Sequence, residues 1–76
     1  MPEYSFDPAE MKRRRVALGK LPEHVAIDAG RSKEAIITYE AGRVSPPIDV
    51  YLGICESLCC SPTDLLGRTA QRRQAS

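Results

Sequence analysis

Two short helical segments are predicted between Pro22 and Ala41, joined by a turn of only about three residues. Pro22 is favoured at the first position of a helix, whereas Gly30 readily takes the left-handed conformation that ends one. Ser32 is a suitable N-cap for the second segment. Helices of this length are marginal on their own. This stretch must therefore be stabilised by packing against the rest of the chain.

The spacing of small and apolar residues in this stretch is typical of two helices that cross steeply through a tight turn. Such a crossing needs a small residue at the contact, a residue that tolerates positive φ in the turn, and apolar side chains behind the second helix. Ala26, Gly30 and Ile36 with Tyr39 fill these places, with a spacing of four from Ala26 to Gly30 and six from Gly30 to Ile36. The pattern predicts a helix-turn-helix.

The segments on either side predict three more helices and no strand. Asp7 and Pro8 form a favourable start for helix 1, and apolar residues recur at helical spacing later in the chain. The five predicted helices run from Pro8 to about Leu18, from Pro22 to about Ala29, from Lys33 to Ala41, from Ile48 to Leu58 and over one turn within residues 61–67. The predicted fold is all-α, with a flexible N-terminus at residues 1–6, one domain at residues 7–67 and a basic, disordered tail at residues 68–76.

Length and composition limit the chain to one small domain. Its 76 residues, 42% of them hydrophobic, can build a single core, and the longest apolar runs are too short to span a bilayer. Residues 1–8 lack the basic segment and apolar run of a secretory signal, so we expect a cytoplasmic protein. The net charge of +1 does not by itself indicate a nucleic-acid partner, but the basic residues are clustered. The clusters are Lys12-Arg13-Arg14-Arg15, Arg31 with Lys33 and Arg43, and Arg68 with Arg72 and Arg73.

Three cysteines, Cys55, Cys59 and Cys60, fall within six residues. Their odd number in an intracellular protein argues against a disulfide framework. Cys55 and Cys59 share a helix face and would allow a metal or redox pair, but one histidine elsewhere and no further thiol leave a four-ligand zinc site incomplete. We therefore expect the cysteines to pack as small hydrophobic residues, and we expect no cofactor.

The stretch from Met11 to Leu66 resembles the Cro/CI-type (XRE family) helix-turn-helix domains of phage repressors and bacterial regulators. The residues that carry the resemblance are Arg14-Arg15-Val16-Ala17-Leu18-Gly19, Val25-Ala26, Gly30, Ile36, Tyr39-Glu40-Ala41-Gly42-Arg43, Pro46 and the segment from Leu58 to Leu66. The resemblance implies a five-helix, lambda-repressor-like DNA-binding domain, with helices 2 and 3 as the helix-turn-helix.

The resemblance also supplies a partner for Arg15, which the helical pattern places close to the core, where a charge needs one. In the family, the arginine at this position forms a buried ion pair with the glutamate at Glu40. Four positions depart from the family pattern. Leu21 and Pro22 stand where a Ser or Thr cap and a glutamine usually contact phosphate, Arg31 replaces an apolar residue, and Cys59 replaces the usual glycine after helix 4.

If helix 3 lies in the major groove, its outward residues meet base edges. The outward residues are Ser32, Lys33, Glu34, Ile37 and Thr38, which match family positions that contact DNA. Arg43 matches a residue that grips phosphate in the family. The alternative for Lys33, Glu34 and Thr38 is an ordinary solvated helix face.

The predicted function is sequence-specific DNA binding by a Cro/CI-like repressor that acts by operator occupancy. A domain of this size usually needs two copies on a palindromic site, so we expect a homodimer. The resemblance places its interface at Pro62, Leu65 and Leu66, although these residues can equally cap the core. The alternative function is a protein-interaction module on the same scaffold, antitoxin-like or binding another repressor. The sequence indicates no enzyme, membrane or small-molecule ligand.

Overall fold

Four α-helices, one 3-10 turn and a two-stranded antiparallel sheet make up residues 4–68, the part of the chain that the computed structural model describes. The elements are β1 Tyr4–Phe6, α1 Pro8–Ala17, α2 Pro22–Ala29, α3 Lys33–Glu40, α4 Ile48–Ser57, the 3-10 turn Pro62–Leu65 and β2 Leu66–Arg68. Apart from Arg68, the predicted basic tail lies outside the described residues. No helix within residues 4–68 is long and apolar enough to cross a membrane.

The helices begin at the residues that the capping pattern predicts. The carboxylate of Asp7 accepts a hydrogen bond from the backbone N–H of Glu10 at 3.2 Å, and Ser32 Oγ accepts one from the N–H of Ala35 at 3.1 Å. These side chains satisfy N–H groups that have no partner inside the first turn of a helix. Local sequence therefore sets where α1 and α3 start.

The fold is dominated by helices, as predicted, but within residues 4–68 it has four α-helices in place of five and a short two-stranded sheet that was not predicted. β1 pairs with β2 so that Phe6 lies opposite Leu66, and the predicted fifth helix is a single 3-10 turn whose chain continues in extended conformation. The N–H of Asp7 also donates to the carbonyl oxygen of Leu65 at 2.7 Å. These bonds join opposite ends of the described chain, so a local pattern could not reveal them. They also hold residues 4–6 in place, which the sequence had predicted to be loose.

The core lies between the four helices and the 3-10 turn, with α2 packed against both α4 and α3. Its fully buried side chains are those of Met11, Val25, Ile36, Ile54 and Leu65. Gly53 brings α4 and α2 close together, since a Cβ at this position would lie 3.2 Å from the Cα of Ala29. The ring of Phe6 packs edge-on against Tyr51 with centroids 6.1 Å apart. The N-terminal strand therefore covers one end of the core.

A polar network that the sequence did not predict fixes α2 to α4. Ser57, a buried residue of α4, donates from its hydroxyl to the carboxylate of Asp28 at 2.6 Å. The ammonium of Lys20 donates to the carbonyl oxygen of Ser57 at 2.6 Å and lies 3.5 Å from the same carboxylate. The hydrogen bond from Ser57, followed by the contributions of Lys20, lowers the pKa of Asp28 below its ordinary value.

Replacing Ser57 with alanine is expected to reduce stability more at neutral than at acid pH. Because the folded state lowers the pKa of Asp28, the stabilisation is present above the pKa of the unfolded chain and is lost as the pH falls through the folded value. The difference in free energy of unfolding between wild type and Ser57→Ala should therefore shrink below about pH 4. Urea unfolding of both proteins at neutral pH and at a pH below about 4 measures this difference. An Asp28→Asn background should abolish the pH-dependent part, and its persistence there would assign the effect to another group.

The three cysteines have three different environments. Cys55 is buried in the core, where burial chiefly raises the pKa of its thiol to about 11. Cys60 is half-buried and packs against the core, whereas Cys59 is exposed. Within residues 4–68, no group of three potential ligands could hold a metal ion. The expected packing role therefore applies to Cys55 and Cys60 and does not extend to Cys59.

Cys59 has a φ of 56°, a conformation that favours glycine. It lies just after α4, at the position where the family resemblance predicts glycine. We expect Cys59→Gly to raise the free energy of unfolding by about 1 kcal/mol, because the left-handed conformation is unfavourable for a residue with a Cβ. Thermal or urea unfolding measures the change. Cys59→Ala is the matched control, since it removes the thiol but keeps the Cβ. Equal stability of the two variants would contradict the backbone explanation.

Candidate nucleic-acid interface

A three-residue turn joins α2 to α3 and sets the direction of both helices. Gly30 ends α2 with φ 70° and ψ 35°, and the N–H of Arg31 then donates to the carbonyl oxygen of Ala26 at 2.9 Å. This left-handed cap turns the chain sharply, after which Ser32 starts α3. Ala26 is 3% exposed at the contact between the helices, as the small residue of the predicted pattern. The turn therefore depends on Gly30, because glycine adopts the left-handed conformation without a steric penalty.

The inner face of α3 packs on the core and leaves its outer face free. Ile36 and Tyr39 are buried, so the opposite side of the helix points to solvent. That side contains the predicted contact residues: Ser32, Lys33, Glu34 and Ile37 are exposed, and Thr38 is half-buried. Lys33 and Ile37 lie one turn apart, as do Glu34 and Thr38. The structure thus brings the predicted residues of α3 together on one surface.

Two hydroxyl groups on this surface are already bonded within the helix. Ser32 Oγ caps α3, and Thr38 Oγ1 donates to the carbonyl oxygen of Glu34 at 2.8 Å. The Thr38 proton is therefore not free to reach a base, and the side chain offers its oxygen as an acceptor and its methyl group for apolar contact. Arg43 is exposed just beyond α3, and its backbone N–H donates to the carbonyl oxygen of Thr38 at 3.3 Å.

A bidentate ion pair connects α1 to the C-terminal end of α3. Arg15 Nε donates to Glu40 Oε2 at 2.6 Å, and Arg15 Nη2 donates to Glu40 Oε1 at 3.0 Å. Arg15 Nη1 also donates to the carbonyl oxygen of Lys20 at 2.8 Å. The side chains are only 10% and 7% exposed. The pair that the family resemblance implies is present, and it fixes the orientation of α3 relative to the rest of the domain.

The first residues of α2 have apolar side chains, but the backbone N–H at its N-cap has a hydrogen-bond partner. Leu21 occupies the N-cap position with φ −87° and ψ 158°, and its side chain makes no cap bond. His24 Nδ1 instead accepts the N–H of Leu21 at 3.1 Å. This bond was not predicted from the sequence. A polar side chain three residues after an N-cap was the available signal, because this is the spacing of a capping box.

The three residues predicted for a dimer interface lie in different environments. Leu65 is 0% exposed and belongs to the core of its own chain, so its side chain is not available to a partner. Pro62 and Leu66 are exposed, and the hydroxyl of Tyr51 donates to the carbonyl oxygen of Pro62. Only Pro62 and Leu66 of the predicted set can therefore contact a second molecule.

Three solved structures are similar to this chain over most of their length. The P22 c2 repressor protein, solved in complex with the synthetic operator 9T, has a TM-score of 0.75 and 24% identity, with 80% of this chain and 92% of that chain covered. The restriction-modification controller protein C.AhdI from Aeromonas hydrophila has a TM-score of 0.73 and 21% identity, covering 76% and 88%. The hypothetical transcription factor NHTF from Neisseria has a TM-score of 0.72 and 19% identity, covering 91% and 79%.

No protein-family model and no curated protein sequence matches the chain. The similarity is therefore one of structure, and all three structural neighbours are Cro/CI-type helix-turn-helix domains. This chain has the fold of a Cro/CI-type helix-turn-helix domain.

Proposed function

We propose that this chain is a sequence-specific DNA-binding transcriptional regulator that represses by occupying its operator in the cytoplasm. In this proposal α2 and α3 are the helix-turn-helix, and α3 enters the major groove. The observation that carries the proposal is the exposed outer face of α3, where Lys33, Glu34, Ile37 and Thr38 lie on a helix fixed by the core and by the Arg15–Glu40 pair. The structural similarity to a repressor solved on its operator supports it.

The proposed base contacts follow from the chemistry of the outward side chains. Lys33 can donate to O6 and N7 of guanine, and Glu34 can accept from N4 of cytosine. Ile37 and the methyl group of Thr38 can contact the methyl group of thymine. A good contact of this kind discriminates between bases by about 1 to 3 kcal/mol.

Other groups position the domain without reading the sequence. The exposed guanidinium of Arg43 can bind phosphate at the edge of the groove. At the start of α3, Ser32 Oγ already accepts the N–H of Ala35, so a phosphate oxygen can accept only from the N–H groups of Lys33 and Glu34. Affinity from such contacts falls steeply as salt increases.

The proposed regulator binds a palindromic operator as a homodimer. A single domain with an eight-residue α3 covers only a few base pairs, so two copies are needed for useful specificity. The exposed Pro62 and Leu66 support an interface near the end of the domain. This placement revises the predicted set, because Leu65 is buried in its own chain.

One observation favours the alternative of a protein-interaction module on the same scaffold. Leu21 is 52% exposed at a position where the family has a polar residue, and Ile37 is 46% exposed on the neighbouring helix. Apolar side chains on an exposed surface are common at protein interfaces. In this alternative the partner is another protein, such as a toxin or another repressor, and DNA sequence has no effect on binding.

Selection of bound sequences from a random DNA pool at physiological salt tests the proposal. A regulator should enrich a palindromic consensus, with half-sites separated by about one helical turn. Salt-sensitive binding without sequence preference would overturn the proposal and favour the alternative function. The full chain should be used, so that the basic residues beyond the described segment are present.

Without unfolding the domain, Lys33→Ala is expected to weaken operator binding by about 1 to 3 kcal/mol, and Thr38→Ala, which removes a methyl contact, by about 1 kcal/mol. Lys33 is exposed and Thr38 is half-buried at the surface of α3, so their truncation leaves the core intact. Fluorescence anisotropy on the selected operator and on a scrambled duplex measures the loss. Arg13→Ala, an exposed change on α1, is the control. Unchanged discrimination between the two duplexes in both α3 variants would contradict the assignment of α3 as the reading helix.

A further inference from the structure

An apolar surface spans the start of α2 and the middle of α3. Leu21 is 52% exposed, Pro22 is half-buried and Ile37 is 46% exposed. Pro22 and Ile37 line one surface depression of about 260 Å³, and Leu21 directly precedes Pro22. We call Leu21, Pro22 and Ile37 the apolar patch. It joins the two helices on the side of the domain that the proposed function turns toward DNA.

Apart from Lys12, the polar side chains that line the depression are bonded to one another. Arg15 and Glu40 also line the depression, but they form the bidentate ion pair described above. The N–H of Leu21 donates to His24, and the hydroxyl of Thr38 donates to the carbonyl oxygen of Glu34. A ligand group that meets the patch therefore finds methyl and methylene groups, with the ammonium of Lys12 at the edge of the depression.

Three basic side chains lie near the apolar patch, and the exposed carboxylates beside it are those of Glu23 and Glu34. Lys12 lines the same depression, Lys33 lies one turn before Ile37 on α3, and Arg43 is exposed beyond the end of that helix. A phosphate backbone complements this arrangement, whereas an apolar protein partner would leave the charges without one. In the major groove the apolar group that projects from the bases is the 5-methyl group of thymine.

We infer that the apolar patch reads thymine methyl groups, so that each operator half-site has thymine opposite Leu21, Pro22 and Ile37. The inference rests on the proposed DNA-binding function and adds α2 to the reading surface. It also gives a role to two of the four residues that depart from the family pattern. Leu21 and Pro22 lack the hydrogen bonds to phosphate that polar residues make, and they add apolar contact with bases instead.

Replacing thymine by deoxyuridine tests the inference, because this change removes only the methyl group. In the selected operator, each thymine is replaced in turn and the dissociation constant is measured with wild-type protein. A methyl group buried on binding contributes about fourfold in affinity. We expect about fourfold weaker binding at one or two thymines of each half-site, and no change at the others.

Three variants connect the lost methyl group to the apolar patch. Ile37→Ala and Leu21→Ser should bring the ratio of thymine to deoxyuridine affinity close to one at these positions. Leu21→Ser also places a capping hydroxyl at the start of α2, so loss of the ratio cannot be attributed to unfolding of that helix. Val16→Ala is the control, since Val16 is 59% exposed on α1 and does not line the depression. It should keep the ratio of the wild type.

Two results would overturn the inference, and they are distinguishable. If selection yields a palindromic consensus but deoxyuridine is tolerated at every position, the patch does not read methyl groups and the proposed function stands. If selection yields no consensus, the proposed function fails and the inference fails with it. Retention of the thymine preference by both Ile37→Ala and Leu21→Ser would assign the methyl contact to another part of the surface.

Discussion

Replacing Glu40 with alanine is expected to lower the free energy of unfolding by about 3 to 5 kcal/mol. The change leaves the guanidinium of Arg15 only 10% exposed, with the carbonyl oxygen of Lys20 as its remaining partner. A charge that has lost its counterion in such a site retains most of its desolvation penalty. A domain of this size has roughly 4 to 11 kcal/mol of stability in total. The variant should therefore lose a large part of its stability, and at the lower end of this range it is unfolded at room temperature.

Urea unfolding followed by circular dichroism measures this change, and a second ion pair provides the control. Arg13 and Glu10 form an exposed pair, with Arg13 69% exposed, and Arg13→Ala should change stability by less than about 1 kcal/mol. The double variant Arg15→Met with Glu40→Leu should recover much of the loss, because an apolar pair needs no counterion. A change of less than about 1 kcal/mol in Glu40→Ala would mean that water reaches Arg15 and replaces its partner.

The helices could be predicted from the sequence because local residues determine their ends. Pro8 and Pro22 start α1 and α2 where a missing N–H does no harm, and Gly30 ends α2 in the left-handed conformation. The inner face of α3 follows from the spacing of Ile36 and Tyr39, since buried residues of a helix recur every three or four positions. Its outer face was thereby fixed as well. The surface used in the proposed function is thus largely a consequence of short-range pattern.

The features that could not be predicted depend on contacts between distant residues. β1 is only three residues long, and its partner strand lies at the other end of the described chain. The bond between Ser57 and Asp28 likewise joins α4 to α2, and neither residue type at those positions indicates the other. The apolar patch belongs to this class too, because only the packing of α2 against α3 places Pro22 beside Ile37. The sequence showed that Leu21 and Pro22 depart from the family pattern, but it did not show which residues lie next to them in the fold.

The ion pair between Arg15 and Glu40 could be predicted only in part from the sequence. The helical pattern places Arg15 near the core and so requires a partner, but several carboxylates were available. The family resemblance selected Glu40, and the structure places both of its oxygens on Arg15. The need for a counterion follows from the burial of Arg15 alone, whereas the identity of that counterion depends on the tertiary structure.

Replacing Leu65 with alanine is expected to lower the free energy of unfolding by about 2 to 5 kcal/mol. Leu65 is 0% exposed beneath the end of the 3-10 turn, and its carbonyl oxygen accepts the N–H of Asp7 at the start of α1. Truncation removes apolar contacts and leaves a cavity between α1, α4 and the turn. Because this core lies within one chain, the loss should be the same at low and high protein concentration. Urea unfolding at two concentrations measures it.

Leu66→Ala provides the matched comparison, since the adjacent side chain points the other way. Leu65 ends the 3-10 turn with its side chain buried, whereas Leu66 begins β2 and is 37% exposed. Its truncation should change the unfolding of the monomer by less than about 1 kcal/mol. If Leu66 lies in the proposed dimer interface, the same change should weaken self-association in sedimentation measurements and make operator binding require more protein. A Leu65→Ala loss that grows on dilution would instead place that side chain between two chains. Unchanged association in Leu66→Ala would exclude Leu66 from the interface, and the dimer would then have to form through another exposed surface.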